Sequence, residues 1–453
     1  LTAIVKQWAP STASQAIQQS NFGITDSTAS TLLPNLATEN IDLKNILVKY
    51  QETTSGIDTK FDIKNLSATV KEIDLNNEIV RLNEVKLDQS DSYVVFNKTS
   101  KIEKNKEPAT AVNWIVSANK IQIDKTNLLY KDNNEARMKG FDYFNIGIKD
   151  LAGTLDQLYY ASDSISGSLK NLTAKDHSGF YLKRIKGDFV YTNKGATING
   201  LLAETPNTVI RDYIAISYPS LDAIRKYPNL LKIDANIVKS HVDMRDILYF
   251  APFLDQMDVM RPLLTNKFYI DGKVKGNLND LNILALNFRT LDNTEILASA
   301  NIKGLPDVDK MQIDLTLKKL ITGRKDLDRL VDRSLLPEGM EIQYPNSISL
   351  TGNFKGGLKG FDTNLKLVTE KGDASVNGYL NMAGKDTTYD ATVSIQNFNL
   401  GHFIKQDSVL GFISAEAKVK GTGLNPKTMV AEVAGNINRL EALGYNYNSI
   451  NLD

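Results

Sequence analysis

Side chains able to carry out chemistry are few and scattered. The three histidines, His177, His241 and His402, lie far apart in unrelated contexts, and there is no cysteine. A metal centre needs imidazole, thiolate or carboxylate ligands that converge at usable spacing. The nearest approach, His241 with Asp243, reads better as the start of a helix. Without cysteine there are no disulfides, thiolate ligands or Cys nucleophile. No Gly-x-Ser-x-Gly elbow is present, and Gly356-Gly357 and Gly421-Thr422-Gly423 lack the rest of a phosphate loop, so they read as turn glycines. Asp307 and Asp309 precede a strand-like run and read as a solvated turn rather than an acid/base pair. The chain is expected not to be an enzyme, and to need no metal or cofactor.

Composition excludes other classes. The 453 residues carry 53 Lys+Arg and 53 Asp+Glu, a formal net charge of zero. Phosphate binding needs a basic surplus, so no nucleic-acid partner is expected, nor a purely electrostatic hold on a membrane. The cluster Lys98, Lys101, Lys104 and Lys106 reads as a solvated linker. The longest apolar run, Ile247 to Leu254, is broken by Pro252, whereas a spanning helix needs about 20 apolar residues. The chain begins at Leu1 and stops at Asn451-Leu452-Asp453 inside a strand-like pattern. It is therefore expected to be a piece of a longer protein, with any anchor segment outside it.

The elements that position the remaining residues are strands. Apolar and polar residues alternate at Trp114, Val116, Ala118; at Ile233, Ala235, Ile237; at Ile296, Ala298, Ala300, Ile302; at Met311, Ile313, Leu315, Leu317; and at Val376, Gly378, Leu380, Met382. A period of two puts every second side chain on one sheet face. Short Gly/Asn/Asp turns such as Lys371-Gly372-Asp373 predict hairpins and a largely antiparallel sheet with one wet face. Helices are predicted at Ala13–Gln19, Ser220–Tyr227, Ser240–Leu254 (opened by a Ser-His-Val-Asp capping pattern), Lys325–Leu336 and, as a short turn, Leu400–Lys405. Gly272–Leu278 is echoed by Gly352–Leu358 and, with one extra residue, by Ala417–Leu424. On this pattern the chain divides into a leading irregular or helical segment (1–40), a first groove segment (41–100), a second (111–217), a helical insert (218–262), a repeat (263–320), a helix (321–340), a further repeat (341–400) and a truncated last one (401–453).

A long antiparallel sheet with one dry face and few helices must stack on a second sheet, close into a barrel, or curl into a gutter. The pattern continues over roughly 22 to 26 strands, on the order of 110 Å at ~4.8 Å each if all join one sheet. The expected fold is therefore mostly β, an elongated, curled antiparallel β-sheet groove with a few short helices. Its apolar lining is expected to be Ile270, Val274, Leu284, Leu286, Ile296, Ile302, Ile313, Leu315, Leu317, Leu350, Phe354, Leu365, Leu367, Val376, Leu380, Val393, Ile395, Val419, Val433 and Ile437. Each CH₂ moved from water into such a channel gains about 0.8 kcal/mol, so two sixteen-carbon tails exposed to water cost on the order of 25 kcal/mol. The partner implied is a lipid acyl chain. The same alternation also fits a sandwich whose sheets fill each other, as in a structural envelope protein. The pair Tyr445 and Tyr447 fits either a groove rim or a cross-strand pair.

The segments Phe398–Ile404, Ser408–Ile413, Lys418–Leu424 and Leu443–Asp453, with Asp243–Leu254 as a short helix between sheets, together resemble TamB-like members of the AsmA superfamily. The Asn- and Lys-rich character is similar to the branch found in Bacteroidota. The resemblance covers most of residues 40–453 and rests on pattern rather than on one invariant motif. It implies AsmA-like groove repeats in a periplasmic protein anchored in the inner membrane. It further implies phospholipid transport to the outer membrane and an Omp85 partner of TamA or BamA type. The alternative is a scaffold or chaperone for outer-membrane β-barrel assembly, pairing an open sheet edge with an incoming strand. Asp26, Asp163 and Asp407 each open an Asp-Ser-apolar or Asp-Ser-Thr triplet resembling O-glycosylation sequons of that branch.

Overall fold

The computed structural model describes residues 2–7, 39–53, 55–97, 113–220, 223–224, 227–305, 307–331, 341–384, 386–424 and 428–452. The chain is mostly β, as the alternation predicts, and packs as two units: Leu1–Tyr213 with Asp246–Phe253, and Ile214–Arg245 with Leu254–Asp453.

In the first unit the strands β1 (Thr2–Gln7), β2 (Asn40–Glu52), β3 (Ile57–Asp74), β4 (Ile79–Phe96), β5 (Ile115–Asp132), β6 (Asn145–Ala161), β7 (Ser164–Asp176), β8 (Tyr181–Thr192) and β9 (Gly195–Glu204) each pair with the next. All are antiparallel except β1–β2 and β4–β5. A parallel pair needs a crossover of a dozen or more residues, and the stretch between Phe96 and Ile115 is long enough for one. Strand β10 (Val209–Ser217) pairs with β9 and runs through the unit boundary.

The second unit is a plain meander. Strands β11 (Lys232–Asp243), β12 (Lys267–Asn277), β13 (Asp280–Thr290), β14 (Thr294–Lys303), β15 (Gln312–Thr322), β16 (Ile348–Gly357), β17 (Gly360–Thr369), β18 (Gly372–Asn381), β19 (Thr388–Asn399), β20 (Leu410–Thr422), β21 (Val430–Ala442) and β22 (Tyr445–Leu452) pair antiparallel in sequence order. Among the described residues β22 does not pair back to β11, so the sheet is open rather than a barrel. The three sequence echoes fall on β12, β16 and β20, so the repeat is a four-strand module. Short helices precede each copy: α1 (Met244–Phe250), α2 (Arg324–Leu330) and α3 (Leu400–Phe403). Because alternate strands run the same way, all three leave from one edge of the sheet. Among the described residues no helix is long and apolar enough to cross a membrane.

Several expectations shift. Ser240–Asp243 belong to β11, paired with Lys267–Ile270, so the helix predicted from Ser240 starts at Met244. The ladder outweighs a local capping pattern there, and Asp243 instead accepts the backbone N–H and guanidinium of Arg245. Thr2–Gln7 is a strand, not part of an irregular leader. The helix predicted at Lys325–Leu336 is described to Leu330. At Ser220–Tyr227, Ala223 and Ile224 are helical and Ser220 Oγ accepts the Ala223 N–H. The helix predicted at 13–19, the Lys-rich linker and the Asp26 triplet lie outside the described residues.

Bulges bend the sheet. Between matched partners, β11, β13, β15 and β19 each hold one residue more than the neighbour: Ile237 to Ser240 faces Gly272 to Ile270, and Ile395 to Phe398 faces Ala415 to Ile413. Such extra residues increase local twist and bend a strand. Lys239 and Asn397, inside two of these bulges, both adopt φ near +45°. The glycines of the repeat allow close approach of strands. Gly352 has φ +139°, and a Cβ there would lie 1.9 Å from the carbonyl oxygen of Asn364 on β17. Gly352→Ala is expected to destabilise the second unit by about 1–3 kcal/mol, read by urea unfolding. Gly384→Ala, where a Cβ meets nothing nearer than 3.6 Å, should change little.

Candidate functional site

The register of the second unit assembles one apolar face from all twelve of its strands. One row across it reads Ile237, Gly272, Leu286, Ala298, Leu317, Gly352, Leu365, Val376, Val393, Ala417, Gly435 and Leu452, each partnered with the next. The next row is Ala235, Val274, Ile283, Ala300, Leu315, Phe354, Thr363, Gly378, Ala391, Val419 and Val433. Beyond it lie Ile233, Gly276, Leu281, Ile302, Ile313, Gly356, Phe361, Leu380, Tyr389, Gly421 and Ala431. On the other side run Ser240, Ile270, Phe288, Ile296, Leu320, Leu350, Leu367, Ala374, Ile395, Ala415, Ile437 and Ile450. None of the four rows holds a charged residue.

Row spacing of about 7 Å and strand spacing of about 4.8 Å make this face roughly 20 Å by 50 Å in plan, of order 1,000 Å². The largest apolar patch on an ordinary soluble protein is about 300–600 Å². Among the described residues its side chains stay half-buried over most of it. Along β17, Phe361, Leu365 and Leu367 are half-buried while Asp362, Asn364 and Lys366 are exposed. Only twelve apolar side chains among the described residues of the whole chain are buried. A sandwich would have buried these rows against a second sheet, so the uncovered face separates the two readings of the alternation.

Nineteen of the twenty nominated lining residues lie in these rows. Leu284 does not: it is the extra residue of the β13 bulge and is 59 % exposed. The bulge breaks the period of two, so Ile283 and Leu286 share the face and the residue between them loses its phase. Tyr445 and Tyr447 stand opposite Ala442 and Leu440 at the end of this face, both exposed. The small members of the rows, Gly272, Ala298, Gly378 and Ala417, are not among the twenty, although Ala298 and Gly378 stand in the alternating runs. The first unit, expected as groove segments at 41–100 and 111–217 without named lining residues, has apolar rows of its own: one reads Ile41, Ala68, Val85, Ile121, Leu155, Leu169 and Gly187 and another Leu43, Leu66, Leu87, Ile123, Gly153, Leu172, Ile185 and Ala203. The alternation at Val116 and Ala118 was the available signal.

The opposite face is polar and laced across strands by Lys275–Asp234, Lys319–Glu295, Lys355–Asp314 and Lys418–Asp390 pairs at 2.8–3.8 Å. Such exposed pairs contribute little to stability but keep that face wet. A shallow indentation of about 420 Å³ lies among Ile237, Val238, Asp271, Leu286, Leu297 and Lys318.

Phe403 of α3 packs on Phe398, 5.7 Å between ring centres. Under α2, Asp326 is 1 % exposed and accepts the backbone N–H groups of Asp292 and Asn293 and the Thr294 hydroxyl, with Thr322 beside it. Burial works to raise the pKa of Asp326, but these hydrogen bonds outweigh it and hold the carboxyl below its ordinary value.

The histidines occupy three separate places. His177 contacts Asp176 and Asn145, His241 packs on Tyr269, and His402 meets Gln343. Among the described residues no three His, Asp or Glu side chains converge as metal ligands would. Asp307 is bonded to Lys310 in the turn before β15. Comparison with protein-family models, with curated proteins and with solved structures returns no match.

Proposed function

We propose that this chain carries phospholipid by shielding acyl chains on its apolar sheet faces, as a stretch of a bridge between two membranes, without catalysis. The observation that supports it is the uncharged four-row face of the second unit, left uncovered over most of its area. An exposed apolar face of this size needs an apolar occupant. A face continuous across twelve strands offers no single deep well, so tails can slide along it while headgroups stay in water. On the resemblance to TamB-like proteins of the AsmA superfamily, the setting is the periplasm. A segment outside this chain anchors the full protein in the inner membrane, and an Omp85 partner of TamA or BamA type receives the lipid.

The experiment is photo-crosslinking in cells with benzoylphenylalanine placed at Leu315 or Val393, against Thr316 or Thr392 on the solvent face, combined with native mass spectrometry of the purified chain. Phospholipid adducts at the first two positions and not at the second two are expected, with phospholipid retained on the native protein. Capture at Thr316 and Thr392 instead, or no lipid at all, rejects the reading.

A further inference from the structure

The indentation of about 420 Å³ at β11–β14 is bounded by two rows of paired residues. Asn236, Lys273 and Ala285 form one, and Asp271, Asn287 and Leu297 the other. Each of these residues is one position out of phase with the four apolar rows, so both stand on the opposite face of the sheet. Ile237, Gly272, Leu286 and Ala298 lie between them and supply the backbone floor. The nearest apolar-face rows, with Ile270 and Phe288 or Val274 and Ile283, take no part in the lining. The bulges of β11 and β13 shape this hollow: Val238, in the bulged stretch of β11, lines it beside Ala285 and Leu297. An apolar hollow thus sits within an otherwise polar face.

The polar groups around it are incompletely used. Asn287 Oδ1 is buried and has no hydrogen-bond partner in the protein. Buried side-chain oxygens are nearly always satisfied, and an open one calls for a partner from outside the chain. Two cations are also uncommitted. Lys275 and Lys319 are held by Asp234 and Glu295. The ammonium groups of Lys273 and Lys318, exposed and part of the lining, have no ion pair or hydrogen bond among the described residues. Asp271 supplies the only carboxylate of the lining and accepts the Lys239 backbone N–H at 2.6 Å. The lining therefore carries one surplus positive charge.

A mostly apolar hollow of a few hundred Å³ with a few convergent polar groups has the make-up of a small-ligand site. We propose that it binds a small hydroxylated organic monoanion, of the size and class of a hydroxybenzoate. The apolar body lies on Val238, Ala285 and Leu297, the carboxylate meets Lys273 and Lys318, and the hydroxyl donates to Asn287 Oδ1. This site is on the other face from the groove and does not rest on the lipid reading.

The test is titration of the full chain, methyl-labelled at Val and Leu, with 4-hydroxybenzoate, followed by NMR. The methyl signals of Val238 and Leu297 should shift and saturate together, while those of Leu315 and Val393 on the groove face stay in place. Lys273→Gln with Lys318→Gln should weaken binding about tenfold or more, and the uncharged 4-hydroxybenzyl alcohol should bind the wild type as poorly. Asn287→Leu should erase the preference for 4-hydroxybenzoate over benzoate. It should also raise the urea midpoint of the empty chain, because an unsatisfied buried group is gone. Shifts confined to Leu315 and Val393, or no saturation at Val238 and Leu297, overturn the site. So does equal binding of the neutral alcohol, or a preference for the hydroxyl that survives in Asn287→Leu. Each of these results leaves the groove reading standing.

Discussion

Leu315→Asp is expected to slow lipid passage about a hundredfold or more and to leave the sheet folded. Leu315 sits in the second row of the apolar face, between Ala300 and Phe354, and is half-buried. In the lipid-free protein the new carboxylate keeps access to water, so the fold loses at most part of one side chain's apolar burial, about 1–2 kcal/mol. A passing acyl chain must desolvate it, and stripping water from an ionised carboxylate costs several kcal/mol even after relaxation. At 1.4 kcal/mol per factor of ten, a cost of about 3 kcal/mol already slows transfer about a hundredfold. Val393→Asp and Ile395→Arg, further along the same face, should act the same way, because material moving along a continuous strip meets every obstacle in turn. Thr316→Asp and Thr392→Asp, one residue away on the solvent face, should leave transfer unchanged. The measurements are phospholipid transfer between donor and acceptor vesicles and far-UV circular dichroism of each variant. Full transfer by folded Leu315→Asp would remove the groove from the lipid's path.

The contrast between neighbouring positions shows why so much of this fold was legible in the residues. A sheet with one wet face imprints a period of two on each strand, and hairpins preserve it from strand to strand. Ile296, Ala298, Ala300 and Ile302 therefore mark a strand and its apolar side at once. Legibility fails where the backbone inserts a residue. At Ile283-Leu284-Ala285-Leu286 an apolar side chain falls on the bulge, and alternation counted from Leu284 and Leu286 cannot show that one of them is out of phase. At Leu317-Lys318-Lys319-Leu320 the same insertion is visible as two adjacent lysines between leucines. Parallel pairing of β4 with β5 leaves no local mark either, because it is decided by where a long connection returns. The contacts between the inserts were the least legible part. Short helices are expected from the sequence at α1, α2 and α3, but the contacts between inserts join residues some 60 apart through single polar groups, and no periodicity records them.

The α2 insert is rooted by one buried carboxylate, and its removal should strongly destabilise this part of the second unit. Asp326 lies in the first turn of α2 and closes the β13–β14 hairpin by accepting from Asp292 N (3.1 Å), Asn293 N (2.9 Å) and Thr294 Oγ1 (2.7 Å). Asp326→Ala leaves three donors facing a dry hole under the helix. Unsatisfied buried groups cost about 1–3 kcal/mol each and do not add fully, so a loss of about 3–5 kcal/mol is expected. Asp326→Asn keeps one acceptor and should fall between. The pH dependence follows from the direction of its shift. The folded-state pKa is lowered relative to the unfolded chain, so the carboxylate contributes its stability in full above the unfolded value, near 4. That contribution is lost as pH falls through the folded value. Between pH 7 and pH 3 the wild type should therefore lose stability that Asp326→Asn never had, and the gap between the two should narrow. Amide hydrogen exchange resolves this locally, and protection of β13 and β14 should collapse in Asp326→Ala at pH 7 while β17 and β18 keep theirs. Unchanged protection of Asp292 and Asn293 would mean that the hairpin closes without this carboxylate.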